Sequence, residues 1–253
     1  MLSRKVALIT GGATGIGNRI VREMAKHQYD LVINYRSNEK EAKAVATYVE
    51  EHYHVKTLCI KGDVASIDDV NELVDHALEQ FSTIDVLINN AGPFVFDYKN
   101  LVDYDLDEWK YMVDGNLSSV FYLAKRIVPL MRQKKWGRII NFGFHLAETA
   151  PGWSQRAAYA AAKTGLVSLT KSLAIEEASH GITVNMVNLG DIVHPWKEAS
   201  IADVAGLDNN NTPIGRLGTG EDIARVVEFL TQEKSDFITG AVIPVTGGKT
   251  SFI

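Results

Sequence analysis

The chain alternates between short, continuously apolar runs and longer stretches in which apolar residues recur every three or four positions. Continuous apolar runs are typical of parallel strands buried on both faces, whereas the longer spacing is typical of helices. The apolar runs predict seven strand cores, at 6–9, 31–33, 58–60, 86–88, 139–142, 184–187 and 241–245. The periodic stretches predict helices, most clearly at 16–27, 39–53, 67–81 and 165–178. This alternation predicts an α/β fold, a doubly wound parallel sheet of about seven strands with helices on both faces.

No linker rich in proline, glycine or serine divides the 253 residues, so we predict a single domain over 1–253. One segment breaks the alternation, at 193–213, with Pro195, Gly206 and a polar run at 208–211. Ligands of doubly wound sheets bind beyond the carboxyl ends of the strands. We therefore predict that 193–213 is a loop that closes over a substrate.

A cluster of glycines follows the first predicted strand and opens the first predicted helix. The cluster is the run Gly11, Gly12, Ala13, Thr14, Gly15, Ile16 and Gly17. Its glycines permit a tight turn, close approach of a phosphate and close packing of helix on strand. The free N–H groups and positive dipole end of the helix would face a pyrophosphate. With a strand before it and a helix after it, we favour a dinucleotide-binding loop of the Rossmann type over an ordinary turn.

The residues after the second predicted strand indicate which dinucleotide is bound. An acidic residue at this place would bind the 2′-hydroxyl of the adenosine ribose and would repel a 2′-phosphate. This chain has Tyr35 there, followed by Arg36 and Ser37, which can hold a phosphate through a charge-assisted fork and a hydroxyl donor. We therefore predict NADP(H) as the cofactor. The alternative is that Arg36 is an ordinary exposed arginine.

Tyr159 and Lys163 lie four residues apart in an alanine-rich stretch, so a helix would project both side chains from one face. An ammonium beside a phenol favours the phenolate by up to ~4 kcal/mol, at ~4 Å and an effective dielectric constant of ~20. Because ~1.36 kcal/mol is one pKa unit, the pKa of Tyr159 would fall from ~10 toward neutrality. Such a tyrosine can exchange a proton with a substrate oxygen. On this pair alone, aromatic packing for Tyr159 and a solvated charge for Lys163 stay open as alternatives.

Composition narrows the classes of function. The net charge of −5, with scattered basic residues, gives no electrostatic case for binding nucleic acid. No stretch approaches the ~20 apolar residues of a membrane helix, and the N-terminus is unlike a signal peptide. The single cysteine, Cys59, cannot form an intrachain disulfide and is expected to be a buried structural thiol. We expect a soluble, cytoplasmic protein without a metal site.

Several motifs, in their order and spacing, resemble those of the short-chain dehydrogenase/reductase family. They are the glycine run at 11–17, the stretch 89–92, the Tyr159/Lys163 pair, and further matches at 137–141, 181–185 and 212–218. The resemblance covers nearly the whole chain and is closest to bacterial 3-oxoacyl-acyl-carrier-protein reductases. It implies an NADP(H)-dependent oxidoreductase that reduces the carbonyl of a small-molecule or acyl-thioester substrate. It also implies a homotetramer.

The resemblance further implies roles for individual residues. Tyr159 would be the general acid, Lys163 would bind the nicotinamide ribose and lower the pKa of the tyrosine, and Asn116 would hold a water in a proton relay. Cofactor contacts are implied for Asp63, Val64, Asn90, Ala91, Gly92, Gly190 and Ile192.

The chain departs from the family at the serine that hydrogen-bonds the substrate carbonyl. Alignment from 137–141 places Phe144 at that position, whereas counting back from Tyr159 reaches Leu146. Neither residue has a hydroxyl, and the mismatch indicates an insertion in the loop through 150–153. The loss of one polarising donor typically costs ~10²- to ~10³-fold in rate.

Two nearby side chains could take over from the serine. His145 could donate from a ring nitrogen, although a packing or surface histidine is an equal alternative. Ser154 could reach the site, but a helix N-cap is the favoured interpretation. Past the sixth strand, Leu189 and His194 replace a proline and a threonine of the family, which indicates a different substrate pocket.

Two functions therefore compete. The first is an NADP(H)-dependent reductase of a carbonyl substrate, with 3-oxoacyl-acyl-carrier-protein as the substrate that the resemblance suggests. The alternative is a weakly active or silent NADP(H)-binding protein that acts as a sensor or scaffold, because Phe144 stands in the serine position.

Overall fold

The structure is a computed structural model, and it describes residues 4–94 and 98–250, so the predicted span 1–253 extends beyond the described residues. Seven strands form one parallel sheet in the order β3-β2-β1-β4-β5-β6-β7. The strands are β1 Val6–Ile9, β2 Asp30–Tyr35, β3 Thr57–Lys61, β4 Val86–Asn89, β5 Gly137–Phe144, β6 Ile182–Leu189 and β7 Val242–Val245. The predicted doubly wound α/β sheet is confirmed.

Helices cover both faces of the sheet. They are α1 Gly15–Lys26, α2 Glu39–Tyr53, α3 Ile67–Phe81, α4 Leu106–Val113, α5 Ser119–Lys134, α6 Ala157–Glu177 and α7 Gly220–Thr231. Apolar side chains of α1, α2 and α7 pack on one face of the sheet, and those of α3 and α5 pack on the other. The helices predicted at 39–53 and 67–81 have the predicted bounds. The helix predicted at 165–178 begins earlier, at Ala157.

The topology places a crevice at the carboxyl end of β1. This strand pairs with β2 on one side and with β4 on the other, so the connections leave it in opposite directions. Such a switch point opens the space between the two neighbouring turns, and it is where doubly wound sheets bind ligands. The carboxyl ends of β4, β5 and β6 follow along the same edge. Every site residue discussed below lies at this edge or on a helix beside it.

Candidate active site

The glycine run forms the turn between β1 and α1, at the switch point. Gly11 and Gly15 adopt positive φ angles of 62° and 61°, a region that glycine reaches without strain. A Cβ on Gly17 would lie 2.1 Å from the carbonyl oxygen of Gly11, so only glycine fits there. Helix α1 has neither a side-chain cap from Thr14 nor an acidic residue in its first turn. Its first N–H groups are therefore placed to bind an anion from outside the helix.

The residues after β4 hold this turn in place. The Asn90 side-chain amide donates to the carbonyl oxygens of Thr10, at 2.9 Å, and Gly11, at 3.1 Å. The backbone N–H of Ala91 donates to the Thr10 hydroxyl at 2.9 Å. These bonds tie the glycine turn to the end of β4 and fix the width of the crevice between them.

A cavity of about 320 Å³ opens beside the glycine turn. Its lining includes many residues that the sequence predicts for the cofactor: Gly11, Ala13, Thr14, Tyr35, Arg36, Ser37, Asp63, Val64, Asn90, Ala91 and Gly92. Asn34, Asn38 and Tyr111 also line the cavity and were not predicted. Ile192 instead lines a separate cavity of about 540 Å³ beside β7. The cavity thus gathers predicted residues from the carboxyl ends of β1, β2, β3 and β4. Its lining does not include the other predicted cofactor residues, Gly12, Gly15, Ile16, Gly17, Tyr159, Lys163, Gly190 and Ile192.

Arg36 lies at the mouth of the first cavity. Its Nη1 atom is 3.8 Å from Oδ2 of Asp63, and its guanidinium is 5.8 Å from the centre of the Tyr111 ring. The Tyr111 hydroxyl donates to the same Asp63 oxygen at 3.4 Å. The Arg36 side chain is 61% exposed, so its contact with Asp63 is a weak, solvent-screened one. The guanidinium can therefore turn to an incoming phosphate at small cost.

Tyr159 and Lys163 lie one turn apart on the first part of α6, a helix that contacts β5 and β6. The Lys163 ammonium is 5.8 Å from the centre of the Tyr159 ring. Lys163 is only 5% exposed, whereas the Tyr159 side chain is partly buried. A solvated surface charge is thus excluded for Lys163. The pair forms a buried ammonium next to a phenol.

Burial controls the protonation of both groups. It raises the pKa of Tyr159 to about 12 and lowers the pKa of Lys163 to about 8, because the charged form of each loses its hydration. The sequence-based expectation that Lys163 lowers the pKa of Tyr159 is therefore wrong for this structure. Desolvation of the phenolate is the cause of the raised pKa of Tyr159. At neutral pH the site holds a protonated phenol and an ammonium.

Asn116 lies in a π-helical turn, Asp114–Ser118, between α4 and α5. Its side-chain N–H groups donate to the carbonyl oxygens of Pro93, at 2.9 Å, and Met112, at 3.0 Å. Its Oδ1 atom is buried and accepts no hydrogen bond from the described residues. A Cβ on Gly92 would lie 2.4 Å from that oxygen, which explains the glycine. The amide is therefore anchored with its acceptor open to an additional donor.

Phe144 and His145 lie at the carboxyl end of β5. The Phe144 ring is 6.0 Å from the Tyr159 ring and 5.1 Å from the Trp153 ring. The His145 backbone N–H donates to the carbonyl oxygen of Leu189 at 3.1 Å. Both ring nitrogens of His145 are buried, and neither has a hydrogen-bond partner in the described part of the chain. An unpaired buried imidazole is costly, so the ring is suited to a ligand that pairs with it.

Aromatic side chains surround Tyr159, an arrangement that the sequence did not predict. The Phe94 ring meets the Tyr159 ring edge-on at 5.0 Å, and the Trp153 ring lies 6.0 Å away. The Arg156 guanidinium stacks over Phe94 at 4.9 Å and is 5% exposed. These residues come from the chain after β4 and from the loop before α6. The insertion predicted at 150–153 was the sequence feature that drew attention to the loop before α6.

Two predictions about the loops have different outcomes. Ser154 is not a helix N-cap, because α6 begins at Ala157 after Arg156, without a side-chain cap. The segment 193–213 consists of turns, a short 3₁₀ turn at Ala202–Val204 and a bridge from Asp208 to Arg216. It contacts the start of α7, where the Gly220 N–H donates to the carbonyl oxygen of Trp196. Its role as a lid stays a prediction.

The described residues contain neither a candidate metal site nor a helix able to span a membrane. Residues 4–94 and 98–250 contain no cluster of three or more histidine, cysteine or acidic side chains that could hold a metal ion. Among the helices in those ranges, none combines the length and the apolar character needed to cross a membrane. Cys59 is partly buried on β3, and burial raises the pKa of its thiol.

Comparisons with known proteins cover nearly the whole chain. A family model described as enoyl-(acyl carrier protein) reductase matches residues 11–250. A Bacillus subtilis (strain 168) protein provisionally named oxidoreductase YtkK is 48% identical over 243 residues, which are 96% of this chain and 95% of that protein. The 3-oxoacyl-[acyl-carrier-protein] reductase FabG of Staphylococcus epidermidis is 36% identical over 244 residues, which are 96% of this chain and 98% of FabG.

Solved structures agree with the sequence comparisons. A Bacillus thuringiensis protein provisionally named 3-oxoacyl-reductase superposes with a TM-score of 0.91 at 43% identity, over 99% of this chain and 100% of its own. The shared motifs, the parallel sheet and these similarities all lead to one assignment. The chain belongs to the short-chain dehydrogenase/reductase family and is an oxidoreductase of that family.

Proposed function

We propose that the protein is an NADP(H)-dependent reductase of a carbonyl substrate, with Tyr159 as the general acid. The observation that carries this proposal is the buried ammonium of Lys163 beside the partly buried Tyr159, in a fold with a dinucleotide-type glycine turn. A phenol that keeps its proton at neutral pH is in the correct state to donate it to the oxygen of a carbonyl undergoing reduction. A 3-oxoacyl thioester is the first substrate to test, because relatives carry that name.

The residues at the glycine turn fit a nicotinamide dinucleotide. The positive φ angles of Gly11 and Gly15, the tight contact at Gly17 and the uncapped start of α1 suit a pyrophosphate. Tyr35, Arg36 and Ser37 line the cavity where the adenosine end would lie. When bound, the reduced nicotinamide supplies the hydride to the carbonyl carbon.

The protein's own groups would manage charge and protons. Lys163 holds an ammonium near the Tyr159 ring, where it would bind ribose hydroxyls and stabilise the negative charge that Tyr159 acquires on giving up its proton. The open acceptor of Asn116 would hold a water that returns a proton to Tyr159 through Lys163. Phe144 stands where the family has its serine, so His145 would supply the missing hydrogen bond to the carbonyl.

The test is a panel of carbonyl compounds with NADPH and NADH. It would contain 3-oxoacyl thioesters, simple ketones, diketones and quinones, and oxidation of the reduced nicotinamide would be followed by absorbance. Turnover of at least one compound supports the reductase. Tight binding of NADPH without turnover of any compound would favour the silent sensor or scaffold that Phe144 suggests.

We expect Arg36→Ala to weaken NADPH binding by about tenfold and to leave NADH binding unchanged. A hydrogen bond to a charged group contributes about 1.5–3 kcal/mol, and the exposure of Arg36 places the effect at the low end. Fluorescence titration with both dinucleotides measures the change. Lys40→Ala is the control, because Lys40 is an exposed cation on the first turn of α2 that does not line the cavity. Equal binding of NADPH and NADH by the wild type would contradict the proposed specificity.

We expect His145→Phe to lower kcat about 10²-fold without changing NADPH affinity. The reason is the loss of one aligned donor to the carbonyl oxygen. His145→Asn, which keeps an N–H donor, should retain more of the activity than His145→Phe. The control is His76→Phe, on the exposed face of α3. Activity of His145→Phe equal to that of the wild type would assign the ring to packing alone.

A further inference from the structure

A carboxylate from a distant loop already lies at the anion-binding end of α1. The Gly15 N–H donates to Oε1 of Glu198 at 2.7 Å, across 183 positions of the sequence. Helix α1 lacks a side-chain cap and an acidic residue in its first turn. Glu198 therefore supplies from outside the helix the negative charge that this helix end favours.

The segment that carries Glu198 is fastened on both sides. Before it, the Gly220 N–H donates to the carbonyl oxygen of Trp196 at 3.0 Å. After it, the Ile201 N–H donates to Oε2 of Glu221 at 2.6 Å. The other oxygen of Glu221 lies 3.1 Å from Nη2 of Arg19, on α1. The loop is thereby tied to the start of α7 and, through Glu221, back to α1.

Lys197, the residue before Glu198, packs closely against the starts of α7 and α1. A Cβ on Gly220 would lie 1.9 Å from the carbonyl oxygen of Lys197, so this approach of loop and helix requires glycine. A Cβ on Gly15 would lie 3.8 Å from Cβ and Cδ of Lys197, so this side chain lies beside Gly15. Several independent contacts thus specify where the Glu198 carboxylate lies.

A carboxylate and a phosphate compete for such a position. Both accept hydrogen bonds from the N–H groups at the start of the helix, and both are attracted by its dipole. The Glu198 carboxylate and a phosphate cannot both accept from the single Gly15 N–H, and their negative charges repel each other when both lie at this helix end. A pyrophosphate that binds to α1 must therefore displace Glu198.

We propose that Glu198 is a built-in competitor of the cofactor pyrophosphate, which lowers the affinity for the dinucleotide. The proposal rests on the dinucleotide site proposed above. Glu198 caps α1 and holds the segment 196–201 against the glycine turn. Binding of the dinucleotide releases the carboxylate and frees this part of the predicted lid. Occupation of the cofactor site and movement of the loop are then one coupled step.

The expected effect is modest because Glu198 is exposed. A charge at an exposed helix end changes binding by about two- to fivefold at low ionic strength, and salt screens it. Glu198→Gln keeps the shape and one acceptor but removes the charge. It should therefore tighten NADPH binding by about two- to fivefold in dilute buffer, and the gain should shrink as salt is added.

The experiment is a fluorescence titration of NADPH and NADH with wild type, Glu198→Gln, Glu198→Ala and Asp203→Asn, at low and high salt. Asp203→Asn is the matched control, because it removes the same charge from the same loop. The Asp203 carboxylate accepts a hydrogen bond from the nearby Ser200 N–H instead of capping α1. The proposal requires tighter binding of both dinucleotides by the two Glu198 variants and unchanged binding by Asp203→Asn. It is overturned if the Glu198 variants bind like the wild type or more weakly, or if Asp203→Asn gains equally. If none of the proteins binds either dinucleotide, both the proposed function and the role proposed for Glu198 are wrong.

Discussion

Tyr159→Phe is expected to lower kcat for carbonyl reduction by about 10³-fold, within the 10²- to 10⁴-fold range that a positioned proton donor contributes. The variant removes one hydroxyl and keeps the ring that meets Phe94 and Phe144. Its packing should therefore survive, and so should its affinity for NADPH. Steady-state kinetics on any substrate that the panel identifies, together with a fluorescence titration of NADPH, measure both quantities.

The matched control is Tyr122→Phe, since Tyr122 packs against the core on the face of the sheet covered by α3 and α5. The pH dependence provides a second check. Burial raises the pKa of Tyr159 to about 12, so the phenol keeps its proton throughout the neutral range and its titration should not limit reduction there. Equal activity of Tyr159→Phe and the wild type would remove Tyr159 from the mechanism. A loss of activity matched by a loss of NADPH affinity would show a structural role instead.

The pattern of apolar residues was sufficient to predict the sheet. Each of the seven predicted strand cores corresponds to an observed strand, because the central strands of the sheet are buried on both faces and are therefore largely apolar. The predicted strand bounds were too short where polar residues continue a strand. Asn34, for example, extends β2 beyond the predicted 31–33, because its buried side chain accepts from the Gly11 N–H and donates to the carbonyl oxygen of Gly62.

The apolar period alone placed the start of α6 too late, at 165, for a physical reason. Ala157 to Thr164 carry no apolar period, because alanine is small enough to be buried or exposed on any face of a helix. The π-helical turn at Asp114–Ser118 has no local signal either. It depends on tertiary contacts, among them the fit of Gly115 against Pro93, where a Cβ would lie 2.3 Å from the proline ring.

The candidate site was predictable where its residues are neighbours in sequence. The glycine run and the Tyr159/Lys163 pair act through fixed spacing, so their positions follow once strand and helix are known. The Phe94 and Trp153 rings around Tyr159, and the contact of Glu198 with Gly15, join distant parts of the chain. The direction of the Tyr159 pKa shift was mispredicted for the same reason, since burial is a property of the tertiary structure.

Lys163→Met is expected to abolish most of the activity and, at the same time, to stabilise the fold. Burial lowers the pKa of Lys163 to about 8 from 10.5. At one pKa unit per ~1.36 kcal/mol, the buried ammonium costs about 3 kcal/mol of unfolding free energy at neutral pH. Methionine fills a similar volume without a charge. Denaturant unfolding at neutral pH should therefore show a gain of that order, whereas kcat falls because the ammonium near the Tyr159 ring is lost.

The stability gain of Lys163→Met should depend on pH. Between about pH 8 and 10.5 the folded protein has lost the Lys163 proton but the unfolded chain still binds it, so this group makes stability rise with pH across that window. The advantage of Lys163→Met should be largest below about pH 8 and should vanish by about pH 10.5. The matched control is Lys171→Met, because Lys171 is exposed on the same helix. If Lys163→Met were less stable than the wild type at neutral pH, the ammonium would be a net stabilising group. That result would contradict the prediction that the Lys163 ammonium lowers the stability of the fold.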